Sequence, residues 1–167
     1  MSLLYGDSFR GETSFPDPGI SFYGMFKECH TLLNAENLIL PATTLTDDCY
    51  SEMFYGCESL TTAPALPATT LTMSCYNSMF GGCESLTTVP VLSATTLAEM
   101  CYWYMFSGCY SLSNITMLAT DISAENCLTG WVDSVAATGT FVKAASMTSL
   151  PTGASGIPSG WTVQNAT

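Results

Sequence analysis

The chain has 167 residues, of which 47% are hydrophobic, and this suffices for one domain with an apolar core. Three Lys and Arg against fourteen Asp and Glu give a net charge of −11, which repels nucleic acid and anionic membrane surfaces. No run approaches the about 18 consecutive apolar residues of a membrane span, and the first residues lack the basic start and apolar core of a signal peptide. Since Ser and Thr are abundant and charged residues scarce, we expect an extracellular or cell-surface protein whose signal peptide is absent from this sequence; the alternative is a cytosolic protein.

In chain order, a short leading segment comes first and a repeat follows it. We assign residues 1–20 to an N-terminal cap and residues 21–131 to the repeat. Three full copies share Cys-Tyr-x-x-Met-Phe-x-Gly-Cys-x-Ser-Leu with a period of 26 residues; they occupy 40–65, 66–91 and 92–117. Degenerate copies at 21–39 and 118–131 are typical of the terminal coils of a stacked array.

Each copy contains two apolar patterns. Cys49, Tyr50, Met53, Phe54 and Cys57 fall at i, i+1, i+4, i+5 and i+8, which predicts one face of a short helix. The Leu-x-x-Φ-x-Φ segment that follows, where Φ is apolar, predicts a short parallel strand. A helix and a strand per copy indicate an α/β solenoid.

The last 36 residues depart from the repeat and form the third predicted region, 132–167. Alternating apolar runs at 139–145 and 160–163 enclose a Pro/Gly/Ser-rich loop, which predicts a β-hairpin. We expect this hairpin to cap the open end of the stack, where a strand edge and apolar face would otherwise be exposed.

The run Met-Phe-x-Gly-Cys-x-Ser-Leu-Thr-Thr-x-Pro, followed by Leu-Pro-Ala-Thr-Thr-Leu, resembles the BspA-like, or Treponema-type, leucine-rich repeats of bacterial surface proteins. The similarity spans residues 21–127, and the segment apolar-Phe-x-x-Cys-x-x-Leu begins at Met25, Met53, Met79 and Met105. The resemblance implies a right-handed leucine-rich-repeat coil of about five repeats, acting in adhesion or protein binding without enzyme activity.

Eight cysteines fall into two columns that recur with the repeat. Stacked coils bring equivalent residues to within about 4.8 Å of each other, close enough for disulfides, but parallel side-chain directions disfavour that bond. We expect buried free thiols that act as small apolar side chains, with disulfides as the alternative and zinc disfavoured because no Cys-x2-Cys occurs. The expected structural core ladder consists of Cys49, Cys75, Cys101, Cys127, Cys29, Cys57, Cys83, Cys109, Phe54, Phe80 and Phe106.

Catalytic chemistry has little to build on. His30 is the only histidine and lies at a variable position of the repeat, so we expect no catalytic triad. A glycosidase-type pair among Asp47, Asp48, Glu52 and Glu58 is conceivable, but acids at 47 and 48 fit the N-terminus of the predicted helix better. We therefore predict no catalytic, cofactor-binding or metal-ligating residue, and no cofactor.

Positions that vary between copies are free of the constraint of stacking and are available for recognition. The predicted partner-binding surface consists of Trp103, Tyr104, Tyr110, Tyr55, Glu52 and Glu58. Large aromatic side chains there suit a protein or glycan partner, while packing under the C-terminal cap is the alternative. We expect a non-enzymatic adhesion or recognition module; the second hypothesis is a structural spacer or assembly module of a surface layer or phage particle.

Overall fold

The computed structural model describes residues 22–167. Three strands occur: β1 (Asn114–Met117), β2 (Thr140–Lys143) and β3 (Thr162–Asn165). They form one parallel sheet in the order β1-β2-β3. The N-terminal cap predicted for residues 1–20 lies outside the described residues.

The predicted α/β solenoid of leucine-rich-repeat type is wrong. Residues 22–167 contain no helix, and their named strands are three short parallel ones in a single open sheet. Alternating helices and strands, which define that class, are therefore missing from the described part of the chain. Each stretch predicted as a helix is a series of tight turns.

Tight turns replace the helix because only every second backbone amide bonds within its own segment. The Met53 N–H donates to the Tyr50 carbonyl three residues earlier at 3.2 Å, whereas the Tyr50 N–H donates to the Cys75 carbonyl of the next copy at 3.0 Å. In an α-helix every amide would bond four residues back along the same segment. The observed alternation is instead a chain of β-turns in which half of the amides donate to the next copy of the repeat.

The inward side chains of this turn chain recur every four residues, which distinguishes it from a helix. The inward side chains Cys49, Met53 and Cys57 are four residues apart, whereas a helix has 3.6 residues per turn and would rotate them around its axis. Every fourth residue has a positive φ, 53° at Glu52 and 69° at Gly56. Positive φ at the third position of a turn is the feature of type II turns, so the backbone returns to the same direction every four residues.

Successive copies of the repeat stack in register through backbone hydrogen bonds; we call each copy a coil. The turn segments of the coils span residues 22–29, 48–57, 74–83, 100–109 and 126–134. Amides of one turn segment donate to carbonyls of the next, as in Phe54 N–H to Met79 at 2.9 Å. On the other side of the coils, parallel bridges such as Thr62 with Thr88 join neighbours.

The predicted C-terminal β-hairpin is also wrong. β2 and β3 lie within or overlap the two runs expected to form it, but they pair in parallel, and β2 also pairs in parallel with β1. Asn114 faces Thr140, an offset of 140 − 114 = 26, so the strand spacing of the repeat continues after the sequence motif has ended. After β2 the chain therefore crosses back to the edge of the sheet at which β2 begins, and β3 then runs in the same direction as β2.

Stacked phenylalanine rings form the centre of the core. Ring centroids are 5.4 Å apart for Phe26 and Phe54, 5.4 Å for Phe54 and Phe80, and 5.7 Å for Phe80 and Phe106. Trp131 ends this column, 6.2 Å from Phe106. Offset stacking at these distances adds to the stabilisation from burial.

A second column of rings runs beside the first. Tyr50, Tyr76 and Tyr102 are buried, with centroid separations of 5.8 and 6.1 Å. Trp131 also stacks on Tyr102 at 6.4 Å, so one indole ends both columns.

The segment 153–157 covers the last turn segment. The Gly130 N–H donates to Ser155 Oγ at 3.0 Å, and Trp131 Nε1 donates to the Gly156 carbonyl at 2.9 Å. The Val132 N–H also donates to the Ala154 carbonyl at 3.1 Å. For the Gly130 and Val132 amides, these acceptors replace the carbonyls that a further coil would supply, and neither amide is left without a partner.

Replacing Phe80 with Ala should remove about 3–5 kcal/mol from the free energy of unfolding, because the fully buried ring stacks on two neighbours. Phe26→Ala, at a half-buried ring with one stacking contact, should cost less. Urea unfolding followed by tryptophan fluorescence measures both, and equal losses would contradict the column as the source of stability.

Candidate recognition groove

One surface groove brings together residues from three coils. Its volume is about 380 Å³, within the range of small-ligand sites. We call it the Tyr55–Tyr104 groove; its lining consists of Tyr55, Ser78, Gly81, Gly82, Tyr104, Ser107 and Gly108. None of these side chains is charged.

The repeat builds the floor of this groove from small residues. Gly82 and Gly108 are equivalent positions with φ of 72° and 75°, a conformation that other residues rarely adopt. A Cβ at Gly108 would lie 3.5 Å from the Gly82 Cα, so adjacent backbones approach closely there. Ser78 and Ser107 add hydroxyl groups at neighbouring positions.

Two tyrosine side chains complete the lining. The Tyr55 ring lies over Gly81, where a Cβ would approach it to 3.0 Å, and the Tyr104 ring lies over Gly130, where a Cβ would clash with it. The two side chains are 40% and 41% exposed. Each glycine thus provides room for a ring that remains open to a partner.

An ion pair flanks the groove at Tyr55. Lys27 Nζ is 2.6 Å from Glu52 Oε2 and 5.1 Å from the centre of the Tyr55 ring. The hydrogen bond between them lowers the pKa of Glu52 and raises the pKa of Lys27. Tyr23 also hydrogen-bonds Glu52, and this contact raises the pKa of Tyr23.

The remaining residues of the predicted partner-binding surface lie outside the groove lining. Trp103 is half buried next to Tyr104, with ring centroids 5.6 Å apart, and its buried Nε1 has no hydrogen-bond partner among the described residues. Glu58 lies 3.5 Å from His30 Nδ1, and both are exposed. Tyr110 is 59% exposed.

Sequence reasoning did not include the floor residues in the predicted surface. Gly81 and Ser107 occupy the repeat position of Tyr55, and Ser78 occupies that of Tyr104. A small residue next to a copy that carries an aromatic ring at the same position is the signal that points to a groove between coils.

All eight cysteines are free. Cys57, Cys83 and Cys109 are buried, and the thiols of Cys83 and Cys109 donate to the Phe54 and Phe80 carbonyls of the preceding coil, both at 3.1 Å. Each of these carbonyls already accepts an amide of its own turn, so the thiol uses the second lone pair. The cysteine is therefore both an apolar filler and a weak donor.

One cysteine differs from the expected core ladder. Cys29 is exposed, whereas the other seven are buried. Cys29 belongs to the first described coil, and no described coil lies before it to cover the thiol.

Burial lowers the reactivity of the other thiols. It raises the pKa of Cys49 and Cys101 to about 12 and that of Cys57 to about 11. The pKa values of the remaining buried thiols are raised by the same cause. Because the thiolate is the nucleophile, these groups are chemically inert near neutral pH.

We expect the folded protein to expose one fast-reacting thiol, Cys29, and the protein in denaturant to expose eight. An aromatic disulfide reagent at about pH 8 measures both numbers. Cys29→Ser should remove the fast phase. Fewer than eight thiols in denaturant would reveal disulfides and contradict this result.

Stability should fall with alkaline pH. The seven buried thiols and the buried Tyr76 and Tyr102 have raised pKa values in the folded state. Their contribution is complete below the unfolded cysteine value of about 8.5 and is lost as the pH rises towards the folded values, about 12 for Cys49 and Cys101.

Urea midpoints between about pH 8 and pH 10.5 measure this decline. Cys49→Ala plus Cys101→Ala should reduce the slope of the urea midpoint against pH. A midpoint that does not change with pH would contradict the ionisation of buried groups as the origin of the decline.

The structure also bears on metal binding, on the role of Asp47 and on membrane-spanning helices. Within residues 22–167, no three His, Cys, Asp or Glu side chains come together as a metal site. Asp47 Oδ1 accepts the Met73 N–H of the next coil at 3.1 Å, so its role is to join coils rather than to cap a helix. The described residues also include no helix long and apolar enough to cross a membrane.

Comparisons with protein-family models, with curated proteins and with solved structures find no match. The resemblance to BspA-like repeats therefore stays a prediction.

Proposed function

We propose that this protein is a non-enzymatic recognition module, at a bacterial surface or exported, that binds a protein or glycan through the Tyr55–Tyr104 groove. The observation that carries the proposal is the groove itself, which is lined by two half-exposed tyrosines together with glycine and serine.

The composition of the groove supports recognition. Tyrosine gives a large, rigid contact area at a low cost in conformational entropy, while serine and glycine give adaptable hydrogen bonds and access to the backbone. Antibody combining sites are enriched in the same residue types. Exposed aromatic rings of this size are common anchors of binding surfaces.

Its construction also supports recognition. Five of the seven lining residues, all but the invariant Gly82 and Gly108, occupy positions where the coils differ, while the inward positions repeat Cys, Tyr, Met and Phe. Tyr55 and Tyr104 do not extend the buried ring columns, so core packing does not account for them. Binding gives these two side chains a role that the fold alone does not require.

Tyr55→Ser plus Tyr104→Ser should remove binding while leaving the fold intact. Both serines already occur at the equivalent positions, Ser107 and Ser78, and Ser78 has the same φ of 50° as Tyr104. We expect affinity for partners found on protein and glycan arrays to fall by about tenfold or more. The free energy of unfolding should change by less than about 1 kcal/mol.

The matched control is Val91→Ser plus Val163→Ser, which removes two exposed apolar side chains outside the groove lining. This control should bind as the unaltered protein does. If the double tyrosine variant keeps every array signal, the proposal is wrong.

A further inference from the structure

Carboxylates occupy repeat positions next to those of the uncharged groove. Glu84 follows the lining residue Gly82 by two positions and is exposed, and Glu58 occupies the same position of the preceding coil. A backbone bond from Ser85 N–H to the Glu58 carbonyl, 3.1 Å, holds these two positions in adjacent coils. Asp133, at the repeat position of Ser107 one coil later, is exposed beyond the other end.

Positive charge is scarce on the same surface. The described residues include two lysines, and only Lys27 lies beside the groove. Its ammonium group is already paired with Glu52. With a net charge of −11 for the whole chain, the long-range field attracts cations and repels anionic partners.

Lys27 also shows how this surface holds an ammonium group. The Nζ atom lies 2.6 Å from a carboxylate oxygen and 5.1 Å from the centre of the Tyr55 ring. An ammonium in such a position gains from the ion pair and from attraction to the face of the ring. Lys27 is an internal occupant of the kind of site that a ligand cation would need.

We propose that the groove binds a cationic polypeptide segment of a partner protein. Lysine or arginine side chains of that segment lie against Tyr55 and Tyr104 and pair with Glu58 and Glu84, while the Ser and Gly floor meets its backbone. This inference rests on the proposed function and names the partner class. A neutral glycan would gain no net Coulombic attraction from the carboxylates, and an anionic one would be repelled.

The probe is a labelled synthetic peptide of alternating lysine and serine, with arginine–serine, glutamate–serine and neutral oligosaccharide ligands as comparisons. Fluorescence anisotropy or calorimetry at low and high salt measures binding to the full chain. We expect saturable binding of the two basic peptides that weakens with salt. We expect no binding of the acidic peptide.

Three variants separate the groove from general acidity. Glu58→Gln plus Glu84→Gln should weaken binding of the lysine peptide by about three- to twentyfold, since an exposed ion pair contributes up to about 1 kcal/mol. Tyr55→Ser plus Tyr104→Ser should weaken it by about tenfold or more. The control Glu99→Gln plus Glu125→Gln removes two exposed charges that immediately precede their turn segments, whereas Glu58 and Glu84 immediately follow theirs, and it should have a smaller effect.

A gain of affinity is the sharpest test. Lys27→Met removes the internal ammonium and leaves Glu52 and Tyr55 open to a ligand cation. The lysine peptide should then bind about two- to fivefold more tightly. Weaker binding of this variant would overturn the inference.

The outcomes distinguish this inference from the proposed function. If the neutral oligosaccharide binds the unaltered protein but not the double tyrosine variant, and neither basic peptide binds, the cationic partner is overturned and the groove is supported. Equal weakening by the control pair of glutamates would show nonspecific attraction and overturn it as well. If no ligand of any class depends on the tyrosines, both proposals fail.

Discussion

The fold depends on the backbone bonds that join each turn segment to the next coil. Half of the amides in a turn segment bond within it, and the other half donate to carbonyls of the following coil, as from Tyr50 to Cys75 and from Phe54 to Met79. No coil can satisfy its own backbone, so each needs a neighbour. The buried rings follow from this register, because equivalent residues are held one above another at stacking distance.

The same register decides which side chains are available for function. Residues directed inward are fixed by the coils on either side, which explains why Cys, Tyr, Met and Phe recur without change. Outward positions have no such constraint, and small residues in one coil beside a tyrosine in another leave a hollow in the surface. The proposed groove is therefore a consequence of differences between copies on a backbone that is the same in each.

Sequence reasoning predicted the long-range organisation better than the local backbone. The 26-residue period identifies residues such as Phe54 and Phe80 that lie in neighbouring coils, because the repeat alignment carries that information. The prediction of the local conformation was wrong because an apolar pattern of i, i+4 and i+8 fits a helix and a chain of turns alike. Only the unchanging period of four, with glycine at 56, 82 and 108, distinguishes the two. The groove could not be predicted, since the lateral relation of Tyr55 to Tyr104 depends on that turn geometry. The parallel pairing of β2 with β3 was missed because strand runs close in sequence suggest a hairpin.

The turn-segment amides that bond outside their own segment all donate in one direction, from each coil towards the one that follows it. Peptide groups aligned in this way add their dipoles, as they do along a helix, but here the sum runs along the stack and across the chain direction. The stack is consequently an electrically polar object whose two ends differ. At its C-terminal end, donor groups converge on the Ser155 hydroxyl and the Ala154 carbonyl. The segment 153–157 therefore covers the positive end of this polar stack with neutral acceptors.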